Sequence, residues 1–172
     1  MLRIKSPRRF VKKSHKGFKV SSRYSRPMGE GIDMHDIEIR LVDAWNVEEI
    51  ADLYRAGGWW KETYEASGLL PLMRGSFAFA VAIDRKTSRL AGMGRVLSDG
   101  VSDGYVQDLV VLPGYRNCGI GTKIVATLIE ACKARGVGWI GLIAEPGSES
   151  FYESLGFKVM PGHVPMLLSR GP

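Results

Sequence analysis

Two cysteines, Cys118 and Cys132, are all that the 172 residues contain, and they show neither C-x-x-C spacing nor a neighbouring histidine. That pattern argues against a disulfide framework and against a zinc knuckle, so the thiols are expected to be reduced and the protein intracellular. The three histidines, His15, His35 and His163, lack metal-ligand spacing. No run of about 18 apolar residues occurs, so no membrane-spanning helix is predicted and the chain reads as soluble and cytoplasmic. Neither standard nucleotide motif is present: G-x-x-x-x-G-K-[ST] is missing, and Gly119-x-Gly121 lacks the third glycine of the dinucleotide fingerprint. Acidic residues are absent from positions 1 to 29, where ten Lys or Arg fall.

What is present suits one domain, since a chain of this length with 45% hydrophobic residues can bury a substantial core. The formal charge of +6 is lopsided: beyond the basic tail, 14 basic residues face 18 acidic ones. Residues 1–33 lack a sustained core-facing stripe and read as a flexible tail ahead of a domain at 34–172. Three readings of the tail compete. It could be an arm for nucleic acid or another acidic partner, an organellar targeting presequence, or an extension without a role, because Met28 and Met34 also offer starts just before the domain.

Along that domain, Ile37, Ile39 and Leu41 alternate with polar residues and predict a strand over Asp36 to Val42. Polar Asp43 to Asn46 then precedes Val47, Ile50, Ala51 and Tyr54, which recur at helical spacing until Gly57-Gly58. A second, less regular helical segment is expected from Lys61 to Leu72. Strands are predicted over Ser76 to Ile83, Leu90 to Leu97 and Tyr105 to Leu112 as an antiparallel meander. A helix from Gly119 to Arg135 follows, with Ile120, Ile124, Val125, Leu128 and Cys132 on one side. Val137 to Ala144 reads as a strand at a sheet centre beside a parallel neighbour. A short helix, Ser148 to Leu155, and a terminal hairpin of Phe157 to Met160 with Val164 to Ser169 complete a mixed α/β architecture.

The junction from Val110 to Thr122 is the most informative stretch: an apolar strand ends at Pro113-Gly114 and becomes a basic, glycine-containing turn into a helix. Helix starts carry unpartnered N–H groups and partial positive charge, so such a turn suits an anionic diphosphate. Arg116-Asn117-Cys118-Gly119-Ile120-Gly121 resembles the [RQ]-x-x-G-x-[GA] signature of the GCN5-related N-acetyltransferases. Phe151-Tyr152-Glu153-Ser154-Leu155-Gly156-Phe157 is similar to the F-Y-x-x-x-G-F segment of the same family, in the same order and separation. The likeness spans roughly residues 36 to 169.

The resemblance implies a central mixed, mostly antiparallel sheet flanked by helices and splayed between its fourth and fifth strands. Acetyl-CoA would be the co-substrate, without a metal, and a primary amine the acceptor. Backbone groups of Leu109, Val110 and Val111 would then line the pantetheine arm. Arg116, Asn117, Cys118, Gly119, Ile120, Gly121 and Thr122 would surround the diphosphate. Cys118 itself reads either as a slightly acidified thiol or as a small side chain in a tight turn. Tyr152 stands where the family's tyrosine protonates the departing thiolate of coenzyme A.

An alkylammonium with pKa near 10.4 must first lose a proton, at a cost of about 4.6 kcal/mol at pH 7. The family's acidic position is Gln107 here, which cannot be a base and could orient a water instead. Asp108 and Glu145 are the candidate proton acceptors, although alternation turns Asp108 away from Gln107 and favours a hydrogen-bonded structural carboxylate. Trp59, Trp60, Tyr64 and Met73 fall in the segment that lines the acceptor side in relatives, or else cap the core. The acceptor is expected to be a small molecule; a protein N-terminus or lysine, and a non-catalytic acyl-CoA-binding or RNA-associated module, are the alternatives. The resemblance is also compatible with a homodimer.

Overall fold

The computed structural model describes residues 32–61 and 63–168. The basic tail and His15 lie outside them, apart from residues 32 and 33. Five strands form one sheet in the order β1-β2-β3-β4-β5: Ile37–Leu41, Ala78–Asp84, Arg89–Ser98, Asp103–Val111 and Trp139–Gly141. The first four run antiparallel to their neighbours, and β5 runs parallel to β4. Helix α1 (Val47–Ala56) starts where the Asn46 carboxamide accepts from the amides of Glu48 and Glu49, satisfying two donors that the first turn leaves open. Helices α2 (Leu69–Arg74), α3 (Ile120–Lys133) and α4 (Glu149–Glu153) follow.

Every residue of β2 is buried. Helix α3 covers one face with Ile120, Ile124, Val125, Leu128 and Cys132, all buried. Its approach depends on glycine in β3: a Cβ at Gly94 would come within 3.0 Å of Ile124 Cγ2, and one at Gly92 within 2.6 Å of the Val110 carbonyl oxygen. Helix α1 contributes Ile50, Ala51, Leu53 and Tyr54 to the same continuous core.

Two departures from strand regularity shape the site. The register between β3 and β4 passes from Met93↔Val110 to Arg95↔Gln107, so Asp108 and Leu109 together oppose Gly94. This is a β-bulge, and Asp108 takes φ +55° within it. Beyond Tyr105, β4 continues to Val111 without a β5 partner, because the two pair only over Asp103–Tyr105 and Trp139–Gly141. The splay between the fourth and fifth strands lies there.

The hairpin turn after β2 is tied to the start of the signature turn by a buried contact. Asp84 is fully buried; its Oδ1 accepts from the Lys86 amide at 2.9 Å, and its Oδ2 from the Tyr115 hydroxyl at 2.7 Å. Tyr115→Phe removes a donor to a buried carboxylate, and the expected cost is about 1–3 kcal/mol in a urea denaturation series. A variant as stable as the parent would show that this contact contributes nothing to the fold.

Three sequence expectations need correction. The second helical segment begins later than Lys61: a 3₁₀ turn at Ala66–Gly68 leads into α2, where Leu69 and Met73 are buried. The strand expected over Val137 to Ala144 shortens to three residues at the end of the strand order, with Trp139 and Ile143 exposed. The terminal hairpin is not formed among the described residues, and Val164, Met166, Leu167 and Leu168 are 79 to 94% exposed. Alternation supplies strand propensity but no pairing partner, Pro165 has no N–H to offer a ladder, and an isolated hairpin is marginal in water.

Candidate active site

After β4 the chain makes a 3₁₀ turn at Pro113–Tyr115 and then enters α3 through two left-handed residues, Asn117 (φ +61°) and Gly119 (φ +80°). This local winding leaves a run of amides without an intramolecular acceptor. Among the described residues, the N–H groups from Asn117 to Thr122 donate to no backbone or side-chain acceptor, and Lys123 is the first to bond back, to the Gly119 carbonyl at 3.0 Å. Six consecutive donors without an acceptor at the head of a 14-residue helix carry partial positive charge suited to phosphate oxygens.

The surroundings of the two glycines differ. A Cβ on Gly119 would meet nothing within 4 Å, so the space above it is open. A Cβ on Gly121 would sit 3.4 Å from Phe151 Cζ and 3.7 Å from Val111 Cγ2, so Gly121 is the close packing point between α3, α4 and the end of β4. Arg116 is exposed, and its Nε donates to the Val111 carbonyl at 2.9 Å, tethering the strand end to the turn. Cys118 is half-buried and its Sγ contacts the Arg116 carbonyl at 3.3 Å. Cys132 is buried in α3, where burial raises its thiol pKa. Val110 points into the core, whereas Leu109 and Val111 lie half-buried on the α3 side.

Tyr152, half-buried on α4, packs edge-on against Phe151 at 4.9 Å and Phe157 at 5.9 Å between ring centroids. Burial, and then the charge of Glu145, raises its pKa above the ordinary value near 10, so the phenol keeps its proton at neutral pH. Glu145 is exposed at the turn into α4, where its carbonyl accepts from the Ser148 amide at 3.0 Å and hydroxyl at 2.7 Å.

The bulge overturns the expected orientation of Asp108. Its left-handed backbone brings the carboxylate to the same side as Gln107, because one guanidinium reaches both: Arg95 Nε to Asp108 Oδ2 at 2.5 Å, and Nη2 to Gln107 Oε1 at 3.0 Å. The Tyr54 hydroxyl donates to the same Asp108 oxygen at 2.6 Å. Burial, followed by this bond, pushes the Tyr54 pKa far above its ordinary value, so it remains a neutral donor.

Of the expected acceptor-side aromatics, Trp59 joins this network, packing edge-on to Tyr54 at 6.1 Å. Trp60 and Tyr64 form a separate pair at 5.8 Å, each with a cation of its own, Arg55 over Trp60 and Lys61 over Tyr64. Met73 is core, 1% exposed. Sequence reasoning missed Tyr54 and Arg95. Tyr54 has the spacing of a core residue, but Arg95 carried a signal, as the one charge in the apolar run from Leu90 to Leu97. Among the described residues, His35 and His163 make local hydrogen bonds, the first to Asp33 and the second to Met160 and Pro161. Among the described residues no three His, Cys, Asp or Glu converge.

The run of unengaged amides at the start of α3 follows the end of β4, the strand whose parallel pairing with β5 stops at Tyr105. The chain belongs to the acetyltransferase (GNAT) family, whose model matches residues 42–157. It is 35% identical over 79 residues to GCN5-related N-acetyltransferase 1, chloroplastic, of Arabidopsis thaliana, a match covering 46% of this chain and 40% of that protein. It is 28% identical over 135 residues to the Uncharacterized N-acetyltransferase ycf52 of Pyropia yezoensis, covering 77% of this chain and 76% of that one. Among solved structures, a GNAT family acetyltransferase from Streptococcus pneumoniae TIGR4 superposes with a TM-score of 0.67 at 27% identity, covering 78% of this chain and 98% of that one. The chain therefore carries this family's acetyltransferase domain, with a mixed sheet and flanking helices like those of its solved relatives.

Proposed function

We propose that the protein transfers the acetyl group of acetyl-CoA directly to a primary amine of a small molecule. The observation that carries the co-substrate side is the run of unengaged amides from Asn117 to Thr122 beside the opening between β4 and β5. When bound, acetyl-CoA supplies an activated acyl group on a thiol leaving group. The chain's part is to hold it, exclude competing geometries and move two protons. The open space above Gly119 accommodates the diphosphate, with Arg116 adding charge at its rim.

Tyr152 is proposed to donate a proton to the departing thiolate. Glu145 accepts, through a water oriented by Gln107, the proton that the substrate ammonium loses before its neutral nitrogen attacks the thioester carbonyl. Asp108 is less suited to that task, since two donors already hold one of its oxygens. Glu145→Gln is expected to lower turnover by the roughly 10²–10⁴-fold that loss of a general base costs, while Asp108→Asn retains most of it; the opposite pattern would exchange their roles. Trp59, edge-on to Tyr54, supports an acceptor amine with an apolar body.

Release of free coenzyme A with a panel of amines, peptide amino termini and lysine peptides tests the proposal. Turnover with small amines is the expected result. Turnover confined to peptides would transfer the acceptor class to proteins, and binding without any turnover would leave an acyl-CoA-binding module. Relatives named chloroplastic favour the targeting reading of the basic tail, which import of the full-length chain into isolated plastids would check.

A further inference from the structure

Asp108 holds a backbone conformation that residues other than glycine, asparagine and aspartate rarely adopt, three residues beyond Tyr105, where the pairing of β4 with β5 ends. A strained residue persists only where its surroundings hold it there. Here the holding groups come from two other elements. Tyr54 on α1 and Arg95 on β3 both bond Asp108 Oδ2, and the Arg95 fork also bonds Gln107, so two consecutive β4 residues are fastened to one guanidinium. The network is not sealed in the core: the Arg95 and Asp108 side chains keep 14% and 22% of their exposure. A pair of this kind is a weak source of stability compared with apolar packing, and its better attested use is to specify one arrangement over others.

The arrangement it specifies is the bulge. The extra residue rotates the peptide planes of β4 and sets the direction of Leu109, Val110 and Val111, in the stretch of β4 that stays beside β3 but has no β5 partner. That direction fixes the width and line of the gap between β4 and β5. We propose that Tyr54, Arg95 and Asp108 form a clasp of positioning residues that locks the β4 bulge and so aims the acyl group at the acceptor, without themselves exchanging protons with the substrates. The proposal rests on the acetyl-transfer reading of the gap. It is separable from that reading because the diphosphate cradle begins after β4 and does not depend on the clasp.

Backbone amide shifts and steady-state kinetics of Tyr54→Phe, Arg95→Met, Asp108→Asn and Asp108→Ala test it, with coenzyme A as the binding probe. Coenzyme A added to the unsubstituted protein is expected to move the amides of Leu109 to Val111 as well as those of Asn117 to Thr122. In Tyr54→Phe and Arg95→Met the first set of shifts should shrink or vanish while the second persists, with coenzyme A affinity unchanged. Turnover should fall roughly 100-fold, the cost of displacing reacting groups by about an ångström. Asp108→Asn tolerates the left-handed backbone and can still accept from Tyr54, so it should retain most of the activity that Asp108→Ala loses.

Wild-type shifts at Leu109 to Val111 in the Tyr54 and Arg95 variants would overturn the clasp, whether or not an acceptor amine has been found. Equal losses in Asp108→Asn and Asp108→Ala, with the pH profile altered in both, would also overturn it by making the carboxylate a proton acceptor. Failure of the unsubstituted protein to shift any amide from Asn117 to Thr122 would instead count against the acetyl-CoA reading beneath it.

Discussion

Acetyl-CoA affinity is expected to fall by at least about 100-fold in Gly119→Asn, measured by titration calorimetry, with the circular dichroism spectrum unchanged. Gly119 sits at φ +80° as the residue before α3, a conformation that asparagine tolerates better than other side chains. No protein atom lies within 4 Å of the Cβ it would gain, so the substitution leaves the fold's own packing alone and fills only the space over the amides. Displacing a phosphate from two charge-assisted bonds, at about 1.5–3 kcal/mol each, exceeds the roughly 2.7 kcal/mol that a 100-fold change requires. Gly121→Val should also abolish binding, but by a mixed route. Its side chain would press on Phe151, already 3.4 Å from the new Cβ, and shift α4 with the neighbouring Tyr152. Unchanged affinity in a folded Gly119 variant would remove the amides from the binding account.

Turnover limited by chemistry is expected to drop by about 10²–10⁴ in Tyr152→Phe, with acetyl-CoA affinity preserved. The lower part of that range is favoured. Proton transfer from an ordinary tyrosine to a thiolate with conjugate pKa near 8.5 is already uphill by about 1.5 units, and burial with the Glu145 charge makes this phenol a still weaker acid. The raised pKa also fixes the pH dependence. The phenol is protonated, and competent to donate, at every pH below its raised value and loses that competence only above 10. A fall in turnover between pH 8 and 10 in the parent enzyme would therefore belong to another group, and should persist in Tyr152→Phe. Full turnover in the variant would leave Tyr152 as a packed aromatic between Phe151 and Phe157.

Much of this was legible before any coordinates, for reasons that can be traced to particular residues. Ile37, Ile39 and Leu41 alternate with polar residues because one face of β1 is turned to the core, where Ile37 is buried and Ile39 packs against it, and Asn46 announces α1 because an unpaired helix start needs a side-chain acceptor. The signature from Arg116 to Gly121 was readable because its glycines sit where the backbone needs them, Gly119 at φ +80° before α3 and Gly121 close against Phe151. What escaped was non-local or aperiodic. Period-two alternation cannot register a bulge, so it sent Asp108 to the wrong side and hid its pairing with Arg95 and Tyr54. Composition could group Trp59, Trp60 and Tyr64 but could not show their neighbours, Arg55 over Trp60, Lys61 over Tyr64 and Tyr54 edge-on to Trp59. The apolar residues after Phe157 look like strands by pattern, yet a strand is defined by a partner that the pattern does not contain.

The central claim is that peptide nitrogens at the head of α3 grip the diphosphate of acetyl-CoA. Hydrogen–deuterium exchange resolved to single amides addresses it most directly, because donors without an acceptor exchange rapidly and become protected when a ligand supplies one. The expected result is fast exchange from Asn117 to Thr122 in the free protein and marked slowing of the same amides on saturation with acetyl-CoA. Exchange at these positions that stays fast under saturation, with protection appearing elsewhere in the chain, would contradict the account.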